Sequence, residues 1–391
     1  MKTLLRLTAV FILAASPARA GDRLVIHEWG TLTSLEDEKG EPLAGINADD
    51  EPVPSFVHEV APRLLYGPAW AGKGVPGVHP DVTVRLETPV FYVHAPAGFM
   101  GPLDVSVKYP GGWLTEFYPD AQATAPGIDP ETGRVGHITG AGTLHWQGLK
   151  IGGDPAGPAT TERVWLAPRN VAADALSTPG GESEKFLFYR GVGREGQILS
   201  IPRDGKTGTL RAFPRYAFAS TPPFWLVDIR PDGAAAFQIV APSASSRSFA
   251  EGDYSAANIA ALRGSMETAL TRAGLYKDEA EALLDTWEVS YFKNPGLRAF
   301  YIMPRACVDL LLPLTVSPSA AITRVMVGRV ELITPAERAA MARINTSPES
   351  LQLFASLGRF RDALLLDEER RHPSPELESF MQRMSVAFYH P

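Results

Sequence analysis

From residue 21 to about residue 240 the apolar positions fall in short runs. "RLVIHEWGTLTSL", "DVTVRLETPVFYVHA", "LDVSVKYPGGWLTEFY", "KFLFYRGVG" and "FWLVDIR" are rich in Val, Ile, Thr and aromatics, and Gly, Pro and Asp separate them. Such runs predict strands joined by turns, packed as a sandwich or a distorted barrel. The period changes near Asp253. Ile259, Leu262, Met266 and Leu270 recur at helical spacing, as do Leu283, Trp287 and Tyr291. The two stretches predict a helical hairpin joined by Gly274 to Tyr276. Strand-like runs return in "GLRAFYIMP", "LLLPLTV" and "ITRVMVGRVELI". Helices then start at Thr334-Pro335-Ala336-Glu337, a capping-box sequence, at Ser347-Pro348, with the face Leu353, Leu357, Phe360 and Leu364, and at Ser374-Pro375. The expected class is α+β. A β-rich, antiparallel, sandwich-like body covers 21–250. A helical hairpin, returning strands and C-terminal helices, packed on that body, cover 251–391. Two separate domains, divided near Pro242 to Gly252, are the alternative.

Residues 1–20 interrupt this scheme. Lys2 and Arg6 precede a short apolar stretch, Leu7 to Ala15, and Ala18-Arg19-Ala20 has the A-x-A form of a cleavage site. The stretch is too short for a membrane anchor. These features predict a signal peptide cut after Ala20 and a soluble mature protein in the periplasm or secreted. Cleavage removes three basic residues and makes the formal charge of −7 more negative. An acidic chain is a poor match for nucleic acid or for anionic lipid. It suits divalent cations or neutral partners such as glycans and envelope components. Cys307 is the only cysteine, so no intramolecular disulfide can form, and its apolar setting reads as core.

Several familiar motifs fail on context. "GVGREG" at Gly191 to Gly196 is followed by a strand-like run with Pro202, whereas a dinucleotide site needs a helix there. "DGKTG" at Asp204 to Gly208 lacks the upstream glycine of a phosphate loop, and no G-x-S-x-G occurs. The pairs His27-Glu28 and His58-Glu59 are not H-E-x-x-H: Thr31 and Pro62 stand where the second His would be.

Read as a strand, Leu24 to Ser34 puts Ile26 and Glu28 on one face and His27 and Trp29 on the other. Both faces are apolar, so Glu28 needs an arginine, backbone amides or a metal. "HPDVTVRLETPVFYVH" adds Glu87 and His94. Their parity differs in a regular strand, but Pro89 can mark a bulge that changes it. Imidazole and carboxylate are ordinary zinc ligands, so His27, His58, Glu87 and His94 are candidate metal ligands, with Glu28 as a general base. Arg190, at a strand end before glycine, is a candidate partner for Glu28 or a substrate anion. Arg305 is a similar candidate. The acids of "SLEDEKGE" and "INADDEP" offer oxygen ligands to calcium without EF-hand spacing. Trp70, Trp113 and Trp146 are either core or a platform for glycan.

"HEWGTLTS", "DDEPVPSFVHE", "HPDVTVRLETPV", "GGWLTEFYPDA", "FLFYRGVG", "LRAFYIMPR" and "VGRVELITP" together resemble a family of exported bacterial proteins with an HEWGT-type N-terminal signature and no assigned activity. The resemblance runs over most of the mature chain. It implies export and a single folded unit, and it assigns no catalytic residues. Two functions are expected on these grounds: a binding or structural protein of the cell envelope or extracellular space, or a metal-dependent hydrolase with a His/Glu site.

Overall fold

Strand β1 (Val25–Glu36) carries the HEWGT run and is buried along nearly its whole length. The strands that position the site follow in chain order: β2 (Val84–His94), β3 (Leu103–Pro110), β4 (Gly112–Tyr118), β5 (Ala141–Ile151), β6 (Leu187–Gly193), β7 (Phe224–Ile229), β8 (Ala235–Val240), β9 (Gly296–Ile302) and β10 (Ala321–Leu332). The helices that matter below are α1 (Ala257–Arg272), α2 (Lys277–Thr286), α3 (Glu288–Phe292), α4 (Pro335–Met341), α5 (Glu349–Ser356), α6 (Arg361–Arg371) and α7 (Pro375–Met384); two further short helices span Arg163–Arg169 and Arg305–Leu311. The computed structural model describes residues 23–47, 52–60, 71–73, 75–216, 221–242 and 244–391. The expected signal segment and its cleavage site, Trp70, and the acids Asp49, Asp50 and Glu51 lie outside these residues.

The protein is mixed α+β around one large sheet, in which β4, β6, β2, β1, β10, β9, β7 and β8 lie side by side. Most neighbours are antiparallel, as the sequence suggests. The central pair is not: β1 and β10 run parallel, in register from Val25 with Ala321 to Glu36 with Leu332. Parallel neighbours at the middle of a sheet are covered on both faces, which explains why β1 reads as apolar on both sides. On one face Trp29, Tyr92, Val325 and Phe300 pack against Leu262, Met266, Leu283 and Trp287 of α1, α2 and their junction with α3. On the other face Ile26, Leu86, Val93 and Met326 join Val105 of β3 and Leu144 and Trp146 of β5 in a second cluster.

The register of β2 on β1 slips between Trp29, which faces Val90, and Thr31, which faces Glu87. Thr88 and Pro89 are the bulge, and Thr88 sits at φ +43°. This extra residue puts Glu87 and His94 on the same face. Gly30 faces the bulge; a Cβ there would lie 2.9 Å from Met326 Sδ and 3.0 Å from Pro89 Cα. A second slip occurs at Arg190 and Gly191, where β6 meets β4. A Cβ at Gly191 would collide with the Trp113 carbonyl oxygen. Backbone cannot yield there without breaking the ladder. Gly191→Ala is expected to cost about 3 kcal/mol or more in urea unfolding, and an unchanged midpoint would refute this account of the site.

Helix starts follow the sequence. Thr334 accepts from the Glu337 N–H at 3.1 Å while Glu337 Oε2 accepts from the Thr334 N–H at 2.7 Å. Ser374 Oγ accepts from the Leu377 N–H at 3.1 Å. The apolar face that runs from Leu353 to Leu364 is divided between α5 and α6, because Gly358 takes φ +71° between them. Among the described residues no helix is long and apolar enough to cross a membrane.

Candidate metal centre

His27 and His94 come from neighbouring strands. His27 faces Tyr92 and Val25 faces His94, so the two imidazoles are diagonal neighbours on the helix-covered face. Their ring centroids are 5.4 Å apart. The first turn of α2 lies over them and supplies Glu279. Its Oε2 is 2.7 Å from His27 Nδ1, and its Oε1 is 2.9 Å from His94 Nε2. The Tyr276 backbone N–H donates to Oε2 at 2.7 Å. The Tyr276 ring closes the group, with centroids 4.5 Å from His27 and 4.9 Å from His94. Exposure is 4% for His27, 6% for His94 and 0% for Glu279.

Burial alone would raise the Glu279 carboxyl. The hydrogen bonds with His27 and His94, the charge of His27 and the Tyr276 amide outweigh it, and the carboxyl is held below its ordinary range. A carboxylate in the first turn also meets the positive end of the helix dipole.

The three side chains suit a transition metal. Their donor atoms all lie within 4.8 Å of one another. Tetrahedral zinc with bonds of about 2.0–2.2 Å needs donors roughly 3.3 Å apart, a small outward step from the present hydrogen bonds. An ion would take the place of the protons now shared between imidazole and carboxylate, and two His with one carboxylate is a common zinc set. Among the described residues this is the one group of three or more His, Cys, Asp or Glu whose donors converge in this way.

The other candidates lie elsewhere. Glu87 shares the face of His94 but stands seven positions back along β2, roughly 20 Å at the rise of a strand. It is ion-paired with Arg85 Nη2 at 3.0 Å and faces Arg329 Nη1 at 3.8 Å. His58 pairs with β4, three strands from β1, and holds Glu182 through Nε2 at 2.8 Å. Neither can join His27. Glu28 points to the opposite face of β1, where Arg324 stands directly across the parallel pairing. Arg324 Nε donates to one carboxylate oxygen, and the Tyr189 hydroxyl donates to the other at 2.5 Å. Glu28 therefore cannot serve as base for an ion at His27. Arg190 does not reach Glu28 either. Its register partner is Glu116, which takes Nη2 at 3.0 Å and also Nε.

Calcium finds no set in the first acidic loop. Glu36 is held by Arg215, Asp37 by Arg371, and Glu38 by Arg338. Trp113 and Trp146 are core, donating Nε1 to the Pro126 and Pro119 carbonyls at 2.7 and 2.8 Å, so neither presents an open ring to glycan. Arg305 pairs with Asp309 one helical turn on, at 2.7 Å. Cys307 is buried, which pushes its thiol up. After "GVGREG" the chain forms a short strand, Leu199–Ser200, and no helix.

Glu279 is the residue that sequence reasoning missed. A signal was present: the stripe Leu283, Trp287 and Tyr291, taken one step back by four, lands on Glu279. A carboxylate heading an apolar stripe faces the core and needs a partner there.

No protein-family model and no curated protein matches the chain. Among solved structures it is similar to the Mu homology domain of Fcho1 from Danio rerio with bound Eps15 peptide. That match is 8% identical, covers 81% of this chain and 97% of that one, and has a TM-score of 0.26, too low to bear on fold or function.

Proposed function

We propose that this protein is an exported binding or structural component of the envelope or extracellular space, and that a transition-metal ion at His27, His94 and Glu279 pins its helical layer to its sheet. The observation that carries this reading is the enclosed convergence of three ligand side chains from β1, β2 and α2. In this reading the β-rich part is a sandwich-like body and α1 with α2 is a hairpin carried on it. Three protein ligands leave one tetrahedral position unfilled, as in catalytic sites, but none of the three side chains is more than 6% exposed, and that burial favours a structural ion. The placement of Glu28 weighs against the hydrolase reading. Export is supported by the signal-like residues 1–20 and by the resemblance to exported proteins.

The test is elemental analysis of mature protein purified without chelator. About one equivalent of zinc or a similar ion per chain is expected, falling to background in Glu279→Gln. Chelation should lower the melting temperature of the wild type but not of the variant. An ion present at 100 times its Kd adds about 2.7 kcal/mol. A wild type that stays metal-free after incubation with zinc would refute the metal. The mass of the exported protein tests cleavage after Ala20.

A further inference from the structure

The large sheet ends at β8, and the helix-covered face of that end is not closed. Trp225 of β7 and Ile239 of β8 stand opposite each other in the ladder. Trp225 is 8% exposed and packs into the cluster beneath α1, but Ile239 is 59% exposed. A cavity of about 380 Å³ opens beside them. The sheet supplies Trp225, Ile239 and Ile302 to its lining, and the C-terminal half of α1 supplies Ala269 and Arg272. An apolar recess of this size with a few polar groups is the usual form of a small-molecule site.

The polar groups of the recess decide what can enter. Trp225 Nε1 donates to Ser265 Oγ at 2.9 Å, and the Thr268 hydroxyl donates to the Gly264 carbonyl at 2.9 Å. Both protons are thus spent within the protein. Arg272 is the one charged residue of the lining. It is exposed, and among the described residues no carboxylate pairs with it. Its place at a helix end does not repel an anion. The carbonyls of Ala269, Leu270 and Thr271 accept from the N–H groups of Ala273, Leu275 and Gly274, so the negative pole of α1 is largely capped.

What the recess offers is therefore apolar wall and one uncommitted cation. Its complement is an apolar molecule with a single anionic head. A sugar would lose water from several hydroxyls there and regain few partners.

We propose that this recess binds a free amphipathic carboxylate, such as a medium-chain fatty acid, with its apolar body on Trp225, Ile239 and Ile302 and its head on Arg272. The proposal rests on the reading of the protein as a binding component and gives that reading a ligand. It does not involve the metal: elemental analysis reads His27, His94 and Glu279, titration reads the recess, and either can fail alone. The probes are hexanoate, octanoate and decanoate, with octan-1-ol as the uncharged comparison, titrated calorimetrically into the mature protein.

The acids should bind saturably at one site, about fourfold tighter for each added methylene. Arg272→Gln should weaken octanoate about tenfold, the scale of one charge-assisted hydrogen bond, and leave octan-1-ol unchanged. Ala269→Phe, which fills the recess, should abolish binding of both. If Ala269→Phe fails to fold, the comparison of acid with alcohol in Arg272→Gln decides, since Arg272 is exposed and its loss removes no ion pair within the described residues. No binding of decanoate up to about 10 mM overturns the proposal. Equal octanoate binding by wild type and Arg272→Gln overturns it too, as does binding that survives Ala269→Phe. Co-sedimentation with phosphatidylglycerol vesicles, without binding of any free acid, would replace it with a membrane contact.

Discussion

Replacing Glu28 with alanine is expected to destabilise the protein by about 3–5 kcal/mol, the range for removing one partner of a buried ion pair. The loss falls on what remains. Arg324 is 4% exposed and would keep its charge with only Asp309, at 3.1 Å on the half-exposed side, and the Leu312 carbonyl, at 2.6 Å, to oppose it. The Tyr189 hydroxyl, buried and held well above its ordinary pKa by burial and by the Glu28 charge, would lose its acceptor. Glu28→Gln keeps an acceptor but not the charge and should fall between. Replacing both partners, Glu28→Leu with Arg324→Met, should recover much of the loss, because an apolar pair needs no compensation in this setting. Urea unfolding of the four proteins is the measurement. A Glu28→Ala loss below about 1 kcal/mol would mean that the pair is solvated, contrary to its place between β1, β6 and β10.

Glu36→Gln is expected to make the protein more stable at pH 8.5 and to change it little near pH 5. Burial raises the Glu36 carboxyl to about 7, against the pull of Arg215 and of the Ile201 amide, which donates at 2.8 Å. A raised carboxyl favours the folded state while it is protonated. Its contribution is complete below the unfolded value, about 4.5, and is lost as pH rises through about 7. The gap corresponds to up to about 3 kcal/mol at 1.36 kcal/mol per unit. Glutamine cannot ionise, so the variant should have the flatter profile over this window. Parallel curves for the two proteins would show that Arg215 carries Glu36 as an ion at all pH values. Glu279 acts with the opposite sign: its lowered carboxyl stabilises above the ordinary carboxylate range, and that contribution goes as pH falls through its folded value.

The parts of this picture that depend on local period were legible in the sequence. Alternation along Leu24 to Ser34 separates His27 from Glu28, Pro89 marks the bulge that returns Glu87 to the face of His94, and Thr334 and Ser374 start helices. What was not legible is pairing across the chain. Glu279 is 252 positions from His27, and Arg324 is 296 from Glu28. Period decides which face a side chain takes. It says nothing about which distant strand or helix will cover that face. Grouping His58 and Glu87 with His27 failed for this reason: the residue types were suitable, but the sheet order and the length of β2 keep them apart.

The parallel contact of β1 with β10 has a consequence for the order of folding. The strand formed nearest the N-terminus is completed by one formed some 300 positions later, so the middle of the sheet closes last along the chain. Until residues 321–332 arrive, β1 carries a long row of unpaired amides and carbonyls beside apolar side chains. That is the template on which chains pair with one another. A chain that stops short of β10 is therefore not a protein missing its tail. It is a sheet opened at its centre, prone to self-association, and any factor that holds nascent β1 apart from other chains acts at the most vulnerable point of this topology.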